Sequence, residues 1–328
     1  MRKTVHLCLS SHEEVMYRNE EDLIMGFNCL ALAVLETESR LLGEGFMSTH
    51  NHILVQTDNQ RELWRKERYA YSRYFNAKYY RKGRIGEKYG FSIYVEGRQH
   101  TITALDYVLR QGLHHGLSKT PFGYRHCSAN SFFREDLGKT SFPALISNDK
   151  RHRYLPHGKS LPLDYRMSDS GLLLREDILD TAYVEELYIT PRNFLFHMNR
   201  LTDELTAQEQ IKENNQPPIT LDAIETGVPA FNLGKALLRE QGHKDKRSLS
   251  DLELCQIIDG YYLPRFLNGT EPKSIYILSA SQRTALGNTI WEDINRPHSA
   301  TGSYRKNLDP FKGKRSTPAQ IRRCLALT

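Results

Sequence analysis

Phe46-Met47-Ser48-Thr49-His50-Asn51-His52-Ile53-Leu54-Val55-Gln56-Thr57 reads as the end of one strand, a Ser48-Thr49 connection and a second strand. Side chains alternate along a strand, so His50 and His52 share one face and Asn51 takes the other. Two imidazoles aimed the same way meet the first requirement of a metal pair. Taken alone, a His-x-His on a strand is more often incidental than a metal site. The literal His-Asn-His also invites comparison with the HNH nucleases, but that name describes dispersed residues and not a tripeptide.

Working outward, residues 4–9 predict a strand and residues 20–37 a helix with Leu23, Phe27, Leu30 and Val34 on one face. Strands over 41–47 and 50–57 follow, then a helix over 59–80, a loop punctuated by Gly83, Gly86 and Gly90, and a strand over 91–96. This βαββαβ order is that of an α+β, ferredoxin-like sandwich with helices on one face of an antiparallel sheet.

One more helix is expected from Thr103, which has capping-box spacing to Asp106, to Gly112 or Gly116. Beyond residue 118 the chain turns to Pro-, Ser- and Asn-rich turns (Pro121, Pro143, Pro156, Pro162). After about residue 174 it becomes helical, with a helix start at Thr190-Pro191 running to Leu201 and a loop over 213–218. Two parts are expected: residues 1–135 as the sheet-bearing domain, and residues 136–328 as a mainly α-helical accessory region.

With 328 residues and 39% hydrophobic content, the chain can bury one large core or two ordinary ones. The apolar run behind Met1-Arg2-Lys3 is broken by His6, and the most apolar helical stretch, residues 27–35, falls well short of a membrane span. A soluble cytoplasmic protein with no membrane partner is expected. Five cysteines (Cys8, Cys29, Cys127, Cys255, Cys324) form no C-x-x-C pair, so buried reduced thiols are expected and a disulfide framework is excluded. The net charge of +6 is mild, and its distribution says more than its sum.

In Leu105-Asp106-Tyr107-Val108-Leu109-Arg110-Gln111, Tyr107 and Gln111 stand four apart on one helix face, with His114 continuing it. Leu105, Val108, Leu109 and Gly112 face the core. A half-buried aromatic with a wet hydroxyl fits that pattern equally well.

Taken together, His50-Asn51-His52 with Ile53-Leu54-Val55, Tyr107-x-x-x-Gln111, the Gly116-Leu117 helix end and the turn at residues 124–128 resemble the one-tyrosine HUH transposases. That family includes the REP-associated tyrosine transposases, and the likeness covers roughly residues 1–135. One departure is Asn51, where the family usually has a hydrophobic residue.

The resemblance implies metal-dependent cleavage and strand transfer of single-stranded DNA, with recognition of a hairpin-type end. His50, His52 and Gln111 would hold Mg²⁺ or Mn²⁺, and Tyr107 would attack the scissile phosphate to give a 5′-phosphotyrosine and a free 3′-hydroxyl. A hard divalent ion suits this work, because it polarises a nonbridging oxygen, and an N,N,O set leaves coordination positions open. The phosphotyrosyl ester keeps the energy of the broken bond, so a second 3′-hydroxyl can reverse the step. The other readings are an HUH nickase for plasmid replication or conjugation, and a DNA-binding protein on the same fold without the reaction. The family allows a homodimer.

Between Arg61 and Gly90, ten Lys or Arg stand against three Glu, interleaved with aromatics such as Trp64, Tyr69 and Tyr80. Cations that track phosphates beside rings that stack on bases are the recipe for single-strand binding. Arg81, Lys82, Arg84 and Lys88 in the Gly-rich loop are the DNA contacts expected here. A second basic segment holds Lys314, Arg315, Arg322 and Arg323, and with a helix over 279–290 it would form a helix-turn-helix within 279–328. A terminal helix docked through Ile321 and Leu325 is the plainer account of the same residues.

Overall fold

The computed structural model describes residues 2–87, 90–156, 158–199, 248–269, 274–295, 310–311 and 314–327. Lys88, Leu201 and the 213–218 loop lie outside the described residues. The fold is α+β, a four-stranded antiparallel sheet with several helices.

Strands β1 (Lys3–Ser10), β2 (Arg40–Phe46), β3 (His50–Thr57) and β4 (Phe91–Val95) stand in the order β2-β3-β1-β4. Helix α1 (Glu20–Glu36) begins where the Asn19 side chain accepts from Asp22 N, with Glu20, Glu21 and Asp22 in its first turn, where carboxylates favour the helix dipole. Helix α2 (Gln60–Tyr79) is capped the same way by Asn59 and closes on Tyr80 in the left-handed region.

The two faces of the sheet carry different work. Asn51 and Phe46 are cross-strand partners and point toward α1 and α2: the Phe46 ring meets Phe27 and Tyr17, and Asn51 meets Glu67. On the other face, Gly43 and Gly45 of β2 stand beside Leu54 and His52, and α3 (Arg98–Leu109) lies over them. A Cβ on Gly45 would come 2.9 Å from the Val108 carbonyl, so the missing side chain sets how near α3 can come.

Helix α3 does not start at Thr103. Its N-cap is Gly97 (φ 87), and Thr103 is interior, its hydroxyl donating to the Gln99 carbonyl. Asp106, the other half of the expected capping box, instead accepts from Tyr188 Oη at 2.8 Å and meets His197 Nδ1 at 2.8 Å. Those partners lie on α5 (Thr181–Tyr188) and α6 (Pro191–Asn199), which brace α3 from outside. The helix also breaks at Arg110 (φ −100, ψ 8), and a short turn, α4 (Gln111–His114), carries the rest.

One hydrophobic core runs from Val5 to Met198 and includes Leu155, Met167 and Leu173 from the turn-rich stretch. A second gathers Leu254, Ile258, Leu263, Ile290, Ile321 and Leu325. Its helices are α7 (Asp251–Ile257), α8 (Leu263–Phe266), α9 (Ala280–Asn295) and α10 (Pro318–Cys324). Helices α9 and α10 meet where Gly287 faces Ile321 and Leu325, and most of the chain between them lies outside the described residues. The terminal helix docks through Ile321, Cys324 and Leu325.

The two cores are joined by polar contacts. Arg18 donates to both carboxylate oxygens of Asp259 (3.1 and 2.7 Å) and to the Cys324 carbonyl, while Tyr276 Oη donates to Glu14. All five cysteines are free and buried. Among the described residues no helix is long and apolar enough to cross a membrane.

Candidate active site

The alternation of β3 places His50 and His52 on the α3 face, their rings 5.0 Å apart. Tyr107 reaches this face from α3, and its Oη lies 3.4 Å from His52 Nε2. Gln111 follows past the helix break and folds its Nε2 back to the Tyr107 carbonyl at 3.2 Å. A Cβ on Gly45 would also come 3.2 Å from the Gln111 Cβ and Cγ. Four residues distant in sequence are thus brought to one place by a strand period and a pair of glycines.

Water hardly reaches the group. Tyr107 is 6% exposed, and His50, His52 and Gln111 are each 1% exposed. Burial lowers both histidine pKa values well below the usual range, and neighbouring imidazoles add to it, His115 for His50 and His50 itself for His52. Both rings are therefore neutral at physiological pH and keep a lone pair for a proton or a cation.

Among the described residues no group of three or more His, Cys, Asp or Glu is arranged to hold a metal ion. Beside the two imidazoles the available third donor is an amide, the buried Gln111, whose side chain also hydrogen-bonds His50. An amide carbonyl next to two neutral imidazoles is a donor set that fits a hard, open-sided divalent ion.

Three histidines that carry no motif also enter the site. His6 of β1 stacks on His52 with ring centroids 5.1 Å apart, and its Nε2 lies 3.1 Å from His52 Nδ1. His114 packs on Tyr107 at 5.5 Å and His115 on His50 at 5.0 Å. The signal for His6 was present in sequence as an imidazole interrupting the apolar run of a strand.

Asn51 is explained by the opposite face of the sheet. Its Nδ2 donates to Glu67 Oε1 at 2.6 Å, and its Oδ1 accepts from Leu9 N. Burial raises the Glu67 pKa to about 8, so the carboxyl is largely protonated at neutral pH.

The expected DNA contacts divide. Arg81 is occupied by Glu14, Asn76 and the carbonyls of Lys82, Gly83 and Arg84, so it holds the Gly-rich loop together. Lys82 and Arg84 are exposed. Lys314 pairs with Glu253. Arg315 and Arg322 are exposed, whereas Arg323 binds both oxygens of Asp251 (2.9 and 3.1 Å), which also accepts from Ser48 Oγ at 2.8 Å. Because Ser48 lies two residues before His50, that chain brings the C-terminal helix to the rim of the site. The Gly-rich loop arrives from the other side, with Glu87 N donating to Ser10 O opposite His50.

Comparisons with known proteins give little. No family model matches, and no curated protein matches. Among solved structures, the chain is similar to one described as a REP-associated tyrosine transposase bound to a REP hairpin, at 11% identity and a TM-score of 0.35. That match covers 43% of this chain and 82% of the other.

Proposed function

We propose that this chain cleaves and rejoins single-stranded DNA through Tyr107, acting on a hairpin-type end. The observation that carries the reading is the meeting of Tyr107 Oη with Nε2 of a buried, neutral His52, beside His50 and the buried Gln111 amide. The α+β fold, a four-stranded antiparallel sheet with helices packed on it, is compatible with the same reading. In this reading residues 1–135 carry the chemistry and the helical remainder is accessory.

The step balances simply. Tyr107 Oη forms a bond to phosphorus, the bond from phosphorus to the 3′ oxygen breaks, and the phenol proton ends on the departing 3′ oxygen, directly or through water. The product is a 5′-phosphotyrosine and a 3′-hydroxyl, and the reverse step joins a new end. His50, His52 and Gln111 would hold Mg²⁺ or Mn²⁺, which would offset charge on the nonbridging oxygens. Lys82, Arg84, Arg315 and Arg322 are exposed cations suited to the DNA backbone.

Burial of Tyr107 favours a second reading, a DNA-binding protein on this fold that performs no reaction. One assay separates them: the full chain is mixed with labelled single strands from both flanks of its own gene, with Mn²⁺ or EDTA, and resolved on a denaturing gel. A Mn²⁺-dependent covalent band, absent in Tyr107→Phe and His52→Ala, is the expected result. Tight binding with no adduct would select the second reading.

A further inference from the structure

A histidine can offer Nε2 to a phenol or a cation only when its own proton sits on Nδ1. For His50, Thr49 Oγ1 stands 3.1 Å from Nδ1. For His52, the atom facing Nδ1 is His6 Nε2, at 3.1 Å. His6 comes from the neighbouring strand: Cys8 pairs with His52 and His6 with Leu54, so His6 is the diagonal neighbour on the site face. The His6 ring lies nearly parallel to His52, at 13°, and meets Tyr107 edge-on with centroids 5.9 Å apart and planes at 90°. Phe91 closes over it at 5.9 Å.

We propose that His6 is a positioning residue: its Nε2 accepts the Nδ1 proton of His52, leaving His52 Nε2 bare toward Tyr107 Oη, while its ring edge holds the phenol in place. The consequence for cleavage rests on the function proposed above; the proton assignment does not. With Nε2 accepting, the His6 proton sits on Nδ1, a buried ring atom without a hydrogen-bond partner, so the arrangement leaves that one donor unsatisfied. The reverse assignment, with His6 Nε2 donating, would place a proton on His52 Nε2 and remove the lone pair that faces the phenol. An outer partner that fixes the tautomer of a ligating histidine characteristically changes affinity or activity by roughly 10–100-fold.

The test uses the full chain with ¹⁵N-labelled histidine, as wild type, His6→Phe and His6→Gln. Phe keeps the stacked ring and loses the acceptor; Gln restores a carbonyl at similar reach. In wild type, nitrogen spectra should place the His52 proton on Nδ1, and His6→Phe should abolish that preference. Mn²⁺ affinity and the cleavage rate should then fall roughly 10–100-fold with hairpin DNA affinity unchanged, and His6→Gln should recover most of the loss. A wild-type His52 protonated on Nε2, or a His6→Phe protein that binds Mn²⁺ and cleaves like wild type, would overturn the assignment. A wild-type protein that forms no adduct sinks the cleavage reading alone, and the spectra still decide the role of His6.

Discussion

Between the two site histidines, Asn51 looked out of place in sequence, and its partner shows why it is tolerated. Asn51 and Glu67 form a polar pair beneath the sheet, with Glu67 Oε2 buried and unpartnered. Because the folded-state pKa of Glu67, about 8, lies above the ordinary glutamate value, the folded chain binds a proton that the unfolded chain has released. Stability therefore falls as pH rises through the window between the two values. Glu67→Gln should match wild type at pH 4 and be more stable at pH 8.5, by on the order of 2–4 kcal/mol in urea unfolding. A wild-type stability curve flat from pH 4.5 to 8 would refute this. The shared face of His50 and His52 was legible from the strand period, whereas Tyr107 and Gln111 were joined to them in sequence through the family resemblance. The contacts of Glu67 and His6 were not legible, although His6 stood out as an imidazole in an apolar strand, since they come from cross-strand and cross-layer neighbours that no local period encodes.

At the level of elements, the approach of α3 to the sheet depends on Gly43 and Gly45. A Cβ at Gly45 would meet the Val108 backbone carbonyl, which can yield only if the helix moves; at Gly43 it would meet the tip of Leu105, 3.0 Å away, which can rotate. Gly45→Ala should lower stability by about 1–3 kcal/mol and suppress adduct formation at least tenfold, while Gly43→Ala stays near wild type. Equal effects at the two positions would show that the glycines are not setting the distance. The outer brace gives a separate check: Tyr188→Phe removes the hydroxyl from Asp106 and should cost about 1 kcal/mol in thermal unfolding. The sheet strands and the helices α1 and α2 were legible to within a residue or two, since β3 runs over His50–Thr57 as its pattern requires, whereas α9 runs on to Asn295, five residues past its expected end. The start of α3 was not legible. A Thr-x-x-Asp spacing signals a cap only if the chain ahead of it is non-helical, and here Gly97 had already begun the helix.

In the whole molecule, the change to Pro- and Ser-rich composition near residue 118 reports local turns, whereas the first core continues to Met198. Composition describes the backbone of a segment and not the core its few apolar side chains join. The second core is tied to the first through Arg18, which is 1% exposed against Asp259 and Cys324. Replacing Arg18 with Met leaves Asp259 without its cation, and thermal unfolding should lose about 3–5 kcal/mol or separate into two transitions. A single transition at the wild-type temperature would show that the link adds nothing.

Enclosure of the tyrosine also makes a prediction about kinetics. If the phenol that attacks is 6% exposed, the arrangement that admits a phosphodiester is a minority member of the ensemble. The intrinsic affinity of the reacting strand is then scaled down by that fraction, so DNA held firmly elsewhere on the surface would be cut slowly. Substitutions that loosen the histidine-bearing turn over Tyr107 would speed cleavage without tightening binding.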